Sequence, residues 1–399
     1  MKSFLRYALV SITLLIGFAA SPASALDCTL GTPAHTCYAI ATGNWGSTGT
    51  WSYTSSGATC ICTPATGENI VFDAGSNGKT FTMEAAYSLN SLVATGSTTA
   101  TWVHNAFTLT ITGDTFTLAS TMTYSPAAAR LVLFTPASGH TVAVTTAASA
   151  TNKGFGSVTL TGADATATLA PQDAFVANIS NASNALVNAG IFDASVNNVA
   201  VTVSTFNSPN GSARTIRMGS GTWSITQDSS TNDSWNVGTT ATLTAGASTL
   251  AFTAASPLTS VKFVTGGLSY NVVTADIGSR YPLQFSGTGA TIATLNLGAS
   301  IRAITLNSND TYTITNALNW AGSSTQPVLI YRSTAFSIPT LAIASGSTTS
   351  WVSFAGVTFT GSGTKLVATN CLDFGGNVFN SGTCTAPSAG GGGGHIIGG

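Results

Sequence analysis

The amino-acid sequence predicts an all-β protein that folds as a right-handed parallel β-helix, also called a β-solenoid. Between residues 215 and 263 apolar side chains recur at every second position, as in Ile216 and Met218 or Leu250 and Phe252. This is the period of a strand with one buried face. Each run ends at Gly, Ser, Asn or Asp, and another follows after about ten residues. Long segments with a helical period are nearly absent, which excludes a fold with crossover helices.

The N-terminus has the pattern of a secretory signal peptide. Basic residues precede the apolar segment 8–20, and a small-x-small cleavage motif ends at Ala25. We therefore predict a signal peptide over residues 1–25. The mature chain is expected to be secreted, and to be extracellular, periplasmic, or displayed on a cell or virion surface. No later segment is long and apolar enough to span a bilayer, so no membrane span is predicted.

Residues 26–89 are predicted to form an N-terminal cap module. It contains TGNW at 42–45, TWS at 50–52 and NIVFDAGS at 69–76. These motifs resemble the start of a broad group of poorly characterised β-solenoid proteins, which occur among exported bacterial proteins and in phage or prophage structural genes. The sequence departs from that pattern at Glu68-Asn69, where an acidic pair is usual, and by an inserted Cys-Ile-Cys. The resemblance implies a solenoid with an exported or phage-associated role.

Two tryptophans of this module, Trp45 and Trp51, have two interpretations. A solenoid exposes an apolar cross-section and unpaired strand edges at its first coil, which must be covered. Large aromatic side chains are usually buried, so both residues are expected in the core of the cap. The alternative is a platform on which a sugar ring stacks.

Six cysteines cluster near the two ends of the chain: Cys28, Cys37, Cys60, Cys62, Cys371 and Cys384. An even number in an exported protein predicts disulfide bonds. On one strand, Cys60 and Cys62 would have Cα atoms about 7 Å apart, too far for an easy bond. We therefore expect these two to pair with Cys28 and Cys37, and Cys371 to pair with Cys384. The competing zinc site is disfavoured because Cys-x-Cys lacks the usual spacer.

The alternation continues through residues 90–364, which we predict to be one continuous solenoid. Two or three β-sandwich domains are the rival architecture, but no break in composition marks a linker. Residues 365–389, rich in turn formers, are predicted to be a C-terminal cap. The Gly-rich segment 390–399 is predicted to be a flexible tail. A homo-oligomer is compatible with a β-helix fibre, although no coiled-coil segment predicts one.

Composition limits the possible chemistry. Only 6% of the 399 residues are charged and the net charge is −1, so nucleic-acid binding is not predicted. Carboxylates are few and mostly isolated; the nearest cluster, Asp228 with Asp233, is typical of a turn and is a poor calcium site. No nucleophile motif is present, His35 and His104 are expected in turns or at the surface, and the arginines are expected in solvent. No catalytic residue, metal or cofactor is predicted.

Three function classes follow from these observations. The first is an exported, non-catalytic structural or adhesive protein that presents a face rich in Ser, Thr and Asn to a surface glycan or another cell-envelope component. The second is a phage or prophage tail-associated or receptor-binding protein, which the N-terminal resemblance implies. The third is a polysaccharide-acting β-helix enzyme, which would need two carboxylates facing one groove.

Overall fold

The computed structural model of the chain is an all-β solenoid of parallel, stacked strands, as the sequence predicts. It describes residues 26–27, 35–96, 98–126, 131–147, 154–177, 184–209, 212–226, 233–253, 261–277, 282–298, 300–320, 322–334, 337–344, 348–361, 366–379 and 382–386. The predicted signal peptide, Cys28, Asp228 and the predicted tail lie outside the described residues. The right-handed sense of the winding stays a prediction.

The chain winds around three faces, and each coil contributes strands to them in turn. Face one has the strands Thr36–Ala39, Asn69–Phe72, Thr141–Thr145, Thr168–Pro171, Arg214–Arg217, Ala241–Thr244, Thr340–Ile343, Thr358–Thr360 and Val378–Phe379. Face two has Gly43–Asn44, Thr80–Met83, Thr101–His104, Thr123–Pro126, Phe175–Ala177, Val201–Val203, Thr222–Ile225, Thr249–Phe252, Thr348–Ser350, Leu366–Thr369 and Gly382–Thr385. Face three has Leu131–Phe134, Ser157–Thr161, Thr205–Ser208, Trp235–Val237, Val261–Val264, Leu283–Ser286, Ala303–Leu306, Val328–Arg332, Val352–Ala355 and Leu372–Asp373.

Six longer strands contribute to two faces, because their two halves pair with different neighbours or across a shift in register. They are Tyr87–Ala94, Leu109–Thr117, Asn184–Asp193, Ser269–Ala275, Ala290–Leu297 and Thr311–Trp320. The remaining strands, Leu26–Asp27, Trp51–Ser52 and Cys62–Thr63, belong to the N-terminal end. A short 3-10 helix, Ala74–Ser76, is capped by Asp73.

The register places equivalent side chains of successive coils directly above one another. Trp223 pairs with Leu250, Leu250 with Val273, Val273 with Leu295, and Leu295 with Leu318. All five side chains are buried. Because a strand alternates its faces, the Thr and Ser residues between them lie outside. Continuous stacking in parallel register from coil to coil through the described residues is the architecture of a solenoid, and two separate sandwiches would not produce it.

Aromatic rings form an unbroken column through most of the core. Consecutive ring centroids lie 4.6 to 6.4 Å apart. In order of contact, the column consists of Trp51, Trp45, Trp102, Tyr124, Phe155, Phe175, Phe192, Phe206, Trp235, Tyr270, Phe263, Phe285 and Tyr312. All of them are at most 4% exposed. Such contacts add to the free energy gained by burying the rings.

Burial of these phenols predicts a loss of stability in alkali. Burial raises the pKa of Tyr124 and Tyr270, and that of Tyr312 with a smaller contribution from Asp310. The unfolded chain therefore releases phenolic protons near pH 10, whereas the folded chain retains them. Above pH 10, we expect the free energy of unfolding to fall by about 1.4 kcal/mol per pH unit for each buried tyrosine. Urea unfolding at pH 8 and at pH 11 measures this slope, and an unchanged free energy would contradict it.

The N-terminal end is closed by the segment that carries the two predicted cap tryptophans. Trp51–Ser52 pairs antiparallel with Thr36–Ala39, on the edge opposite to Asn69–Phe72. Trp45 and Trp51 are fully buried and pack edge to face, and the Trp51 indole N–H donates to the Trp45 carbonyl at 2.7 Å. The alternative of a sugar-stacking platform is wrong, because neither ring has an exposed face.

The Cys60–Cys62 pairing corrects one expectation. These two cysteines form a disulfide with each other, with Cα atoms 5.2 Å apart. The predicted pairing of both with Cys28 and Cys37 is therefore wrong. It assumed an extended strand, but the strand begins only at Cys62 and the chain bends at Ile61. Cys37 is also disulfide-bonded.

The Cys371–Cys384 disulfide is confirmed and links the residue before Leu372–Asp373 to the strand Gly382–Thr385. Replacing both cysteines with alanine is expected to lower the free energy of unfolding by about 2–3 kcal/mol, because the bond closes a loop in the unfolded chain. The matched control removes Cys60 and Cys62, whose much shorter loop predicts a smaller loss. Urea unfolding of the two double variants gives the comparison. An equal or smaller effect at the C-terminal pair would contradict this account.

Candidate functional site

The interior of the solenoid is packed with buried apolar side chains in its described part. An internal void of about 10 Å³ lies where the aromatic column ends, between Tyr312 and Trp320. Its lining is aliphatic and aromatic, including Leu295 and Leu318. A volume of this size holds about one water molecule. The wider grooves of the described structure lie on the outer surface.

The outer surface carries ladders of polar side chains that follow the axis of the solenoid. The amide of Asn90 donates to the Asn69 side-chain oxygen at 2.8 Å, and Asn319 donates to Asn296 at the same distance. Gly113 lies next to Asn90 and leaves room for its amide, because a Cβ at position 113 would lie 2.2 Å from the Asn90 side-chain oxygen. Hydroxyl and amide groups thus provide the polar surface that charged residues provide in most proteins.

Each carboxylate whose side chain is described accepts a hydrogen bond from a donor in its own turn or in an adjacent coil. They cap turns or bind a donor in an adjacent coil: Glu68, Glu84, Asp73, Asp114, Asp164, Asp173, Asp193, Asp233, Asp276, Asp310 and Asp373. Glu84 is representative, since it accepts the N–H groups of Trp45 at 2.9 Å and Gly46 at 2.5 Å and the Tyr87 hydroxyl at 3.0 Å. Its role is to hold the N-terminal cap in place.

Two of these aspartates have a lowered pKa. Hydrogen bonds from Ser138 and Thr166 lower the pKa of Asp164 to about 2. Burial opposes ionisation of Asp193, but hydrogen bonds from Ser195 and Arg217 outweigh it and lower its pKa. Both groups therefore stabilise the fold above their unfolded pKa of about 3.9, and that contribution is lost as the pH falls through their lowered pKa values. A carboxylate held ionised in this way is a poor general acid at neutral pH.

Two residues expected at the surface are instead buried. His104 is fully buried. Its Nδ1 lies 2.8 Å from the Tyr124 hydroxyl, and its Nε2 lies 2.8 Å from the Phe107 carbonyl oxygen. Because a carbonyl oxygen only accepts, Nε2 carries the proton and donates this bond. Arg214 is 2% exposed and its guanidinium donates to Ser208. Both expectations were wrong for one reason. Each residue lies two positions from a core residue on the same strand and therefore shares its buried face.

The remaining singled-out residues are not brought together. His140 and Asp114 form an exposed pair at 3.0 Å at a corner of the solenoid, and such a pair contributes little to stability. Asp233 accepts from Asn236 as a turn residue. In the described part of the chain, no group of three or more His, Cys, Asp or Glu residues is placed to hold a metal ion.

Two shallow grooves lie on face one. Ala241–Thr244 pairs with only the preceding coil in the described structure, and beyond its free edge a groove of about 340 Å³ is lined by Leu243, Tyr270 and Asn271. A second groove of about 360 Å³ is lined by small residues and Asp310. Neither groove has an exposed aromatic ring.

A third groove, the terminal groove, lies near the C-terminal end of the solenoid. It has a volume of about 360 Å³ and is formed chiefly by Tyr331, Arg332, Ala355, Gly356 and Phe374. The Phe374 side chain is 66% exposed, the largest exposed fraction among the large apolar residues in the described structure. The terminal groove therefore combines exposed aromatic surface with a cation, and we take it as the candidate functional site.

Sequence reasoning missed this groove. Arg332 was expected to be fully solvated, and neither Tyr331 nor Phe374 was singled out.

No helix among the described residues is long and apolar enough to cross a membrane. Comparisons of the chain with protein-family models, curated proteins and solved structures give no match. The resemblance of the N-terminal module to exported and phage-associated solenoids therefore stays a prediction.

Proposed function

We propose that this protein is an exported, non-catalytic surface protein, structural or adhesive, whose stiff solenoid presents a hydroxyl- and amide-rich exterior to a surface glycan or another cell-envelope component. The observation that carries the proposal is the engagement of the carboxylates. The described carboxylates cap turns or bind a donor in an adjacent coil. Glycoside hydrolysis instead needs a pair of carboxylates that are free to act on opposite sides of one bond.

Two further observations support a binding role. The packed core gives a rigid scaffold, and contacts made by a rigid surface cost less conformational entropy on binding. The polar ladders repeat at the strand spacing of about 4.8 Å, so they present hydroxyl and amide groups in regular rows. Groups of this kind match the hydroxyl groups of polysaccharides. Export rests on the signal peptide predicted from the sequence, and the disulfides are of the kind that persist in oxidising compartments.

The test is binding of the purified mature chain to a glycan array and to isolated cell envelopes. We expect saturable retention on at least one of these surfaces. The heat-unfolded protein is the control, because adhesion by the folded exterior should be lost on unfolding. Absence of binding to every glycan and envelope preparation would contradict the adhesive role.

A further inference from the structure

We propose that the terminal groove binds an acidic glycan, with Tyr331 and Phe374 contacting the sugar ring and Arg332 pairing with a carboxylate or sulfate group. This inference rests on the proposed function and assigns its ligand class and its site. Carboxylate and sulfate offer the same chemistry to a guanidinium, namely a planar or trigonal set of anionic oxygens.

The register of three strands builds the walls of the groove. Tyr331 pairs with Ala355, and the pairing of Phe354 with Asp373 in the next coil places Ala355 beside Phe374. Neighbouring strands lie about 4.8 Å apart, so the two aromatic residues start about 10 Å apart with a methyl group between them. A larger residue at 355 would fill this space. The arrangement leaves a slot between two aromatic side chains, of a width suited to one sugar ring.

Phe374 contributes apolar surface that the fold itself does not use. Its side chain is 66% exposed, although the chain buries most of its other large aromatic residues in the core. An exposed apolar group beside a groove is typical of a binding site. The C–H face of a pyranose is apolar, whereas its rim carries hydroxyl groups, so an aromatic wall can cover the face and leave the rim in contact with polar groups.

Arg332 contributes a cation whose position is fixed by its neighbours and whose charge no carboxylate in the described structure neutralises. Its side chain crosses Gly356, where a Cβ would lie 2.7 Å from both Cδ and Nε, and Gly356 has φ of +64°. Glycine at 356 thus makes room for the guanidinium along the floor of the groove. In the described structure no acceptor pairs with Arg332, whereas Arg217 pairs with Asp193 and Arg214 with neutral oxygens. An unpaired guanidinium in a groove favours an anionic ligand.

Two hydroxyl residues at the edge of the groove can bind the rim of the sugar. Ser333 and Thr334 line the groove beside Arg332. Their hydroxyl groups lie 3.3 Å and 2.7 Å from the Ser308 hydroxyl in the preceding coil. This contact fixes their positions and leaves further donor and acceptor capacity on each oxygen.

The experiment measures binding of the purified mature chain to hyaluronan oligosaccharides as the carboxylate probe, dextran sulfate as the sulfate probe, and dextran as the neutral control, by isothermal titration calorimetry. We expect binding to at least one acidic probe and weak or no binding to dextran. Phe374→Ala and Arg332→Gln are each expected to raise the dissociation constant for that probe by about tenfold or more. Binding should also weaken as salt rises, since an ion pair contributes.

Two matched control variants keep the test sharp. Arg302→Gln removes an exposed cation next to the face-three strand Ala303–Leu306 that does not line the groove. Val196→Ala removes an apolar side chain elsewhere, at a residue that is 57% exposed. Both should bind as the unaltered chain does. Circular dichroism and thermal melting of all four variants check that each is folded. Phe374→Ala is expected to fold, because the Phe374 side chain is largely exposed.

Several outcomes of the binding experiment would overturn the inference. They are equal loss in the control variants, unchanged binding in both groove variants, and equal affinity for dextran and the acidic probes. Loss of self-association in Phe374→Ala without any glycan binding would assign the groove to a second copy of this chain and also overturn it. If the chain binds only neutral glycans or envelopes, the acidic ligand is wrong but the adhesive function stands. If it binds nothing, the proposed function fails as well.

Discussion

Replacing Trp235 with alanine is expected to lower the free energy of unfolding by about 3–5 kcal/mol, the range for deleting a large buried aromatic side chain. Trp235 is fully buried and stacks on Phe206 at 4.9 Å. It also contacts Trp223 at 5.8 Å, and its indole N–H donates to the Tyr270 hydroxyl at 3.2 Å. The substitution therefore removes ring contacts in three directions and leaves a cavity that stacked coils cannot readily close.

The matched variant for this prediction is Trp320→Ala. Trp320 is only partly buried and its ring contact is Phe354 at 6.2 Å, so its loss should cost clearly less. Chemical unfolding monitored by circular dichroism gives both values. Hydrogen exchange should show the weakening chiefly in coils next to Trp235, since each coil contacts only its neighbours. Equal losses at the two positions would contradict the importance of the aromatic column.

Replacing Arg214 with methionine is expected to cost about 2–4 kcal/mol, because buried acceptors lose their donors. The guanidinium donates to the Ser208 hydroxyl at 2.7 Å, to the Ser208 carbonyl at 2.9 Å and to the Thr240 hydroxyl at 3.2 Å. Methionine keeps the length of the side chain and removes all of these donors. Lysine should recover only part of the loss, since it cannot reproduce the planar fork of donors.

Arg217, three residues further along the same strand, provides the control. Its side chain is 44% exposed and pairs with Asp193 at 2.8 Å. Arg217→Met removes one donor from Asp193, which keeps its hydrogen bonds from Ser195. The loss should therefore be smaller than that of Arg214→Met, in which several buried acceptors lose their donors at once. Urea unfolding of both variants at neutral pH makes the comparison. A larger loss at Arg217 would show that the buried hydrogen bonds of Arg214 do not stabilise the fold as described.

The fold could be predicted because strand alternation is a local property of the sequence. Ile216 and Met218, or Leu250 and Phe252, recur at a period that only a half-buried strand explains. The same rule, applied consistently, would also have placed Arg214 on the buried face, two positions before Ile216. His104 follows Trp102 by the same spacing. For Arg214 and His104, the prediction of exposure was based on the polar residue type. Their burial instead follows from their place in the strand alternation.

The Cys60–Cys62 bond could not be predicted because it depends on a bend. Two cysteines one residue apart cannot bond on an extended strand, and the sequence Cys-Ile-Cys does not itself show that the chain turns at Ile61. Cys371 and Cys384 were easier to pair, because they were the only two cysteines near that end.

The terminal groove could not be predicted because it depends on the register between coils. Tyr331, Ala355 and Phe374 are separated by 24 and 19 residues, and unequal turn lengths decide which of them become neighbours. Degenerate repeats of this kind give no fixed period from which the register could be counted. The exposed position of Phe374 likewise follows from its location in the last described coil, directly after Leu372–Asp373, which pairs on one side only in the described structure.

The central functional claim is that this solenoid binds a glycan without cleaving it. The most direct measurement is prolonged incubation of the mature chain with the polysaccharide it retains, followed by mass spectrometry and a reducing-end assay of the soluble fraction. We predict that the polysaccharide keeps its chain length and that no new reducing or unsaturated ends form. Shorter chains that accumulate with time and with protein concentration would contradict it.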